Sequence, residues 1–358
     1  MNSDIEAAAL AELRAHGLEL DSVQWDMGIV RCATTGKPHG KDGAYSAHSD
    51  NPACIWWQNY PSGTDGVWTV KGLDKLSAAE QEALARRMDE TRKAREAEQS
   101  RVHAEAAEQA QAIYAAAKDC TGHAYLSNKG VKPVPGLKVG TDSYGNEGAL
   151  LIPIYNEAGE TVSLQSIPAT PGANGKWLKL FLKGGRKRGC FFSIGEKSVE
   201  KPLLIAEGLA TGLSLYECLT LPVLTAFDAG NLRHVAELAR RKYPDRQIIL
   251  CADYDDPSNQ VPQAGGVGLK AATEAALAVG GFVATPRLSG RKVDWNDLHQ
   301  KMGIAEVALQ FQTCHKPEPP KPKTDTLPEG FVLRSDGLFH IEQKEDAAPV
   351  ETWLGPPL

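Results

Sequence analysis

Several acidic residues fall where an apolar run gives out. Glu207 follows Leu-Leu-Ile-Ala in LLIAEG, Asp253 and Asp255 follow QIILCA in CADYDD with Asp256 beside them, and Asp294 and Asp297 lie in VDWNDL, shortly after Phe-Val-Ala-Thr. Residues two apart in extended backbone point the same way, so Asp253 and Asp255 can aim at one point. Carboxylates that converge without a cation repel one another and are pushed toward protonation. A bound Mg²⁺ (or Mn²⁺), which favours all-oxygen ligands, removes that penalty. Two such ions about 3.5–4 Å apart would activate an attacking oxygen and stabilise a leaving one in phosphoryl transfer. The predicted metal set is Glu207, Asp253, Asp255, Asp294 and Asp297. Helix capping competes for such acids. Asp228, in AFDAG ahead of NLRHV, suits a cap and a ligand equally.

A second cluster is basic. Between Thr161 and Gly195 stand Lys176, Lys179, Lys183, Arg186, Lys187 and Arg188 and no acid, in a chain of net charge −6. An edge strand guarded by lysines would look similar. The sharp local reversal of charge points instead to nucleic-acid or nucleotide phosphates. Other motifs fail: GGVGLK lacks the Gly-Lys-Ser/Thr ending of a phosphate-binding loop, although glycine-rich amides before a helix suit a triphosphate. Cys218 and Cys251 read as buried structural thiols.

The elements that must position these groups follow from the patterning. LLIA (203–206), VLTA (223–226), QIILCA (247–252) and FVAT (282–285) are short apolar strands. Helical segments lie between them, in TGLSLYECL, NLRHVAELARRKY and VGLKAATEAALAVG, and IAEVALQFQ follows. That alternation predicts an α/β fold with a mostly parallel sheet flanked by helices, over 201–313. Ligands of such sheets bind beyond the strands' carboxyl ends, where the acids stand. Upstream, 119–200 reads as a basic α+β subdomain: LLIPIYNEAGETVSLQSI is strand-turn-strand, and KWLKLFLKGGRKRGCFFSIG suggests a second hairpin turning at Gly184-Gly185. Residues 77–118 form a charged linker helix opened by the capping box Ser77-x-x-Glu80. Residues 1–76 predict a small β-rich domain whose Trp56, Trp57, Tyr60 and Trp68 pack a core or stack single-stranded bases beside Lys37, Lys41 and Lys71. Cys32, His39, His48 and Cys54 form no familiar zinc spacing. A Pro/Lys-rich linker (314–330) leads to 331–358, the start of a further domain or docking strands.

Composition bounds the class. The chain has 358 residues, 42% hydrophobic and 23% charged, which suits two to three globular domains of about 150 residues. No apolar stretch approaches the roughly 18 residues of a membrane span, and the acidic N-terminus does not suit a signal peptide, so a cytoplasmic protein is expected. Seven cysteines without a CxxC pair support neither a disulfide framework nor a zinc ribbon.

Together these motifs resemble a known family. LLIAEGLATGLSL, CADYDD and VDWNDL are similar to the Toprim domain of bacterial primases, topoisomerases and certain nucleases. EGLATG is close to the EGYATA signature of plasmid and satellite-phage DNA primases, the TraC-like proteins of conjugative plasmids among them. AYLSNKGVKP and the two β segments after it resemble the subdomain that precedes Toprim in bacterial primases and presents basic residues to template and nucleotides. The resemblance covers about 120–312. It implies that Glu207 is a metal ligand or acid/base, that Asp253 and Asp255 are the metal-binding Asp-x-Asp, and that Asp294 opens a third acidic motif whose second place falls to Asn296 or Asp297. Glu207, Asp253, Asp255 and Asp294 are thus the expected catalytic set. Thr211 stands where chromosomal primases carry an acid, 257–268 is longer than their turn, and their zinc ribbon is absent. The implied activity is Mg²⁺-dependent RNA primer synthesis on single-stranded DNA from nucleoside triphosphates. A replicative helicase is the expected partner, in cis beyond Leu358 or separate, since GFVLRSDGLF…ETWLGPPL is similar to the opening of a helicase-associated domain. A Toprim nuclease and a non-catalytic helicase-loading module that binds single-stranded DNA are the alternatives.

Overall fold

The computed structural model describes residues 3–49, 52–71, 77–196, 200–254, 266–288 and 292–319, together with the strand backbones at 331–333 and 339–341. Asp255, Asp256 and the rest of the 255–265 segment lie outside the described residues. The chain forms two compact units, residues 1–102 and 103–358.

The first unit starts with a helix that the turn-rich sequence did not signal, α1 (Ser3–Ala15). Five antiparallel strands follow as a meander: β1 (Leu18–Glu19), β2 (Val30–Thr34), β3 (Gly43–His48), β4 (Cys54–Asn59) and β5 (Thr64–Thr69). Ala9 and Leu13 of the helix bury against Leu18, Tyr45, Ile55 and Trp57 of the sheet. Trp57 also stacks on His16, ring centroids 4.0 Å apart. Trp68 packs at the margin of this core, whereas Tyr60 is exposed with the Arg31 guanidinium 4.8 Å above its ring. Cys32 sits inside the core and Cys54 packs on Leu84, and among the described residues no three of Cys32, His39, His48 and Cys54 come together as a metal-holding group.

The division between the units falls inside α2 (Ala78–Ala116), a 39-residue helix of roughly 58 Å. It begins directly after Ser77, whose carbonyl accepts from Gln81 N (2.9 Å). Its early turns carry exposed ion pairs such as Arg92–Glu96 (2.9 Å) and Arg101–Glu98 (2.6 Å). The expected solvated linker ends there. Ala106, Ala110, Ile113 and Tyr114 instead pack on Leu164 and Leu182, and Tyr114 Oη donates to the Gly136 carbonyl (2.9 Å).

The second unit holds two larger sheets. The antiparallel one joins β6 (Lys118–Asp119), β7 (Lys138–Gly140), β8 (Ala149–Tyr155), β9 (Thr161–Ile167) and β10 (Leu180–Phe181), preceded in part by α3 (Ala124–Asn128). β8 and β9 are the expected strand-turn-strand. The second expected hairpin, 176–195, does not form: β10 pairs with β9, whereas β11 (Phe192–Ile194) leaves for the other sheet. Apolar content alone cannot say which sheet a strand joins.

That other sheet has the order β11-β13-β12-β14-β15, with β12 (Leu203–Ala206), β13 (Val223–Thr225), β14 (Ile248–Cys251) and β15 (Phe282–Ala284) parallel and β11 an antiparallel edge. Its helices are α4 (Leu209–Leu219), α5 (Ala229–Lys242), α6 (Gly266–Val279), α7 (Trp295–Met302) and α8 (Ile304–Phe311). Leu203 and Ile205 face the core under α5 and α6, while Leu204 and Ala206 face the core with α4, α7 and α8. Burial on both faces explains why these strands read as unbroken apolar runs. The α/β class and flanking helices are as expected; α7 is an addition. β16 (Phe331–Leu333) and β17 (Phe339–Ile341) pair antiparallel. No described helix is long and apolar enough to cross a membrane.

Candidate active site

The parallel strands create the site through their order. From β12 the chain moves to β13 on one side, then crosses to β14 on the other, so the order reverses between β12 and β14. Crevices for ligands open beyond the carboxyl ends at such a reversal. Ala206 and Cys251 are register partners there, which puts Glu207 one residue and Asp253 two residues past adjacent strand ends. Both acids are half-buried.

The third motif is brought in by a single bridge. Tyr254 and Val293 exchange two backbone hydrogen bonds of 2.9 Å in antiparallel sense. Asp253 and Asp294 are the immediate chain neighbours of that bridge, so the third motif is brought beside the end of β14. The crevice rim thus gathers Glu207, Asp253 and Asp294 from three separate stretches of chain.

Asp294 also performs a local task. It caps α7, accepting from Asp297 N (2.6 Å), while the Asp297 carboxylate accepts from Asp294 N (3.5 Å). Burial pushes the Asp294 carboxyl above the usual carboxylate range; the capping hydrogen bond opposes this, Asp297 adds to it, and Lys129 opposes it. Asn296 and Asp297, both left open for the motif's second place, are separated by their surroundings. Asn296 is fully buried and donates to the Lys129 carbonyl (2.7 Å) and Ser214 Oγ (3.0 Å), tying α3, α4 and α7 together. Asp297 remains half-buried beside Asp294. Asp228 resolves as a cap: it accepts from Asn231 N (2.9 Å) at the start of α5 and pairs with Lys187 Nζ (2.5 Å).

Among the described residues, no three of His, Cys, Asp and Glu close tightly enough to form a metal-holding group. The donor chemistry nonetheless suits a hard cation. The crevice offers carboxylate oxygens, and a buried Asp294 beside Asp297 carries a desolvation and repulsion burden that a divalent ion would relieve. Glu207, Asp253, Asp294 and Asp297 are the described groups that could hold it.

Lys176, Lys179, Lys183, Arg186 and Arg188 are all exposed. Lys187 is not: it is half-buried, bound by Asp228, with its ammonium 4.7 Å above the Phe181 ring. Held between an acid and an aromatic face, it ties down the loop that displays its neighbours.

Residues 202–305 match the family model described as the Toprim domain. The chain carries a Toprim domain. It is 33% identical over 267 residues to the DNA primase TraC of Escherichia coli, and 31% identical over 261 residues to a second E. coli protein of that name. These alignments take in 72% and 70% of this chain, but the chain spans only 24% and 17% of those relatives. Among solved structures, the zinc-binding and RNA polymerase domains of the Aquifex aeolicus primase align over 88% of this chain and 87% of that one, at 14% identity and a TM-score of 0.41.

One residue of this Toprim domain carries no recognisable motif in the sequence. Asn231, 3% exposed in the first turn of α5, has its side-chain nitrogen within reach of three carbonyls, those of Ala226 (2.8 Å), Cys190 (2.9 Å) and Lys187 (3.1 Å). Its side-chain oxygen accepts from Gly189 N (2.7 Å). One amide thereby fastens the basic loop to the end of β13. A signal was present nonetheless: Asn231 lies on the stripe it shares with Val235 and Ala239, a polar residue on a buried helix face.

Proposed function

We propose that this chain is the nucleotidyl-transferring part of a DNA primase, making short RNA primers on single-stranded DNA from nucleoside triphosphates. The observation that carries the reading is the placement of Glu207 and Asp253 past adjacent strand ends, with the Asp294 segment joined to them by the Tyr254–Val293 bridge, in a Toprim domain to which Asn231 fastens a loop of exposed Lys and Arg. The TraC relatives are named as DNA primases, which favours synthesis over the other Toprim chemistries.

In this reading Glu207, Asp253 and Asp294, with Asp255, hold Mg²⁺ or Mn²⁺. The bound ion supplies electrostatic stabilisation of charge developing on the transferred phosphate. The chain's own groups do the positioning. Lys176, Lys179, Lys183, Arg186 and Arg188 neutralise template or nucleotide phosphates and so set the strand's path past the crevice. A replicative helicase is the natural protein partner of such an activity.

The test is primer synthesis on single-stranded DNA with Mg²⁺ and labelled nucleoside triphosphates. Glu207→Gln and Asp253→Ala are each expected to lower product by at least about a hundredfold with DNA binding retained. Lys179→Ala and Arg188→Ala are expected to weaken binding and to lower its salt slope by about one for each phosphate no longer neutralised. Strand cleavage without nucleotides would establish a nuclease instead. Salt-sensitive binding by wild type, with no product from wild type or any variant, would establish a loading module.

A further inference from the structure

The loop between β7 and β8, residues 141–148, is built around a buried carboxylate. Asp142 is 6% exposed and accepts from Tyr144 N, Asn146 N and Asn146 Nδ2, each at 2.9 Å, and from Ser166 Oγ at 2.7 Å. Burial alone would raise its carboxyl, yet these hydrogen bonds prevail and hold it below the usual range, the signature of a well-satisfied ion. Gly145, at φ +82°, makes the turn that carries the next residues back to Asn146.

Tyr144 is the residue this scaffold displays. Its backbone is fixed by Asp142, and its hydroxyl donates to the Phe181 carbonyl at 2.7 Å on the edge strand β10. Between those two anchors, 54% of the residue is exposed. Lys179 lies one residue before β10 and Lys183 two residues after it, both exposed. An aromatic side chain held at both ends has given up its rotamer freedom before any ligand arrives, which favours stacking. An aromatic face flanked by cations along an extended edge is how proteins bind single strands irrespective of sequence.

We propose that Tyr144 is a stacking platform for a base of single-stranded nucleic acid, whose flanking phosphates lie on Lys179 and Lys183. The proposal rests on the reading of the basic residues as a single-strand contact.

It is tested by fluorescence anisotropy with the full chain, using labelled oligo(dT) and an abasic oligomer of equal length over a salt series. Tyr144→Ala is expected to weaken oligo(dT) binding about tenfold, to leave the abasic oligomer unaffected, and to preserve the salt slope. Tyr144→Phe keeps the ring and is expected to stay within about twofold of wild type. Lys179→Ala with Lys183→Ala is expected to weaken both oligomers and to flatten the slope. Equal oligo(dT) affinity for wild type and Tyr144→Ala would overturn the platform while leaving the basic contact intact. So would an equal loss on both oligomers, which would make Tyr144 a structural residue. Absence of salt-sensitive binding by wild type would overturn the basic contact itself, and the platform with it.

Discussion

Asn231 connects the two functional parts of the second unit. Its amide reaches the carbonyls of Ala226, Cys190 and Lys187, and its oxygen takes the Gly189 N–H, so strand end and basic loop share one buried anchor. Removing such a group leaves buried partners unsatisfied, which costs more than the bonds contribute net. Asn231→Ala is expected to lose about 2 kcal/mol of stability in denaturant melts and to raise the Kd for single-stranded DNA several-fold. A full stability loss with unchanged Kd would mean that the basic side chains bind without being held. Lys187 shows the same economy of side chains. Bound to Asp228 and lying over Phe181, it is tied down where its exposed neighbours are not, a difference that a count of basic residues cannot show. Asp294 caps α7 and stands next to the Tyr254–Val293 bridge, so one carboxylate fixes a helix start at the crevice.

Among the elements, α4 makes a very close approach to the sheet. A Cβ on Gly212 would lie 2.8 Å from Thr225 Oγ1 and 3.1 Å from Ile194 Cδ1, both rooted in strands beneath the helix. Gly212→Ala is therefore expected to destabilise by about 1–3 kcal/mol through overpacking, read as a lowered thermal midpoint. Because α4 starts at the residue after Gly208, and Gly208 follows Glu207, any shift of the helix moves that carboxylate. Primer synthesis should fall along with stability. At the end of β13, Phe227 adopts φ 72°, an unfavourable region for a bulky residue, and its ring meets Phe181 edge to face at 6.1 Å. That contact is a second tie between the Toprim sheet and the strand flanked by Lys179 and Lys183.

At the scale of the whole molecule, the two units enclose separate cores, one around Leu13, Ile55 and Trp57, the others on the two faces of the parallel sheet. A chain of residues 103–358 is expected to unfold cooperatively in calorimetry. A gradual, probe-dependent melt would show that it needs residues 1–102. The sequence by itself determined the four parallel strands, since strands buried on both faces must be short apolar runs, and it put Glu207, Asp253 and Asp294 at or beyond their carboxyl ends, where the alternation of strand and helix leaves them. It determined the basic character of 176–188 as well, because charge is read directly from residue type. Tertiary structure alone decided the rest. The split of 176–195 between two sheets, the joining of the third acidic motif to the end of β14 through the Tyr254–Val293 bridge, and the clamping of the basic loop by Asn231 all join residues distant along the chain. Local pattern reports which face a side chain prefers to bury. Which distant partner waits on that face is set only when the sheets and helices pack.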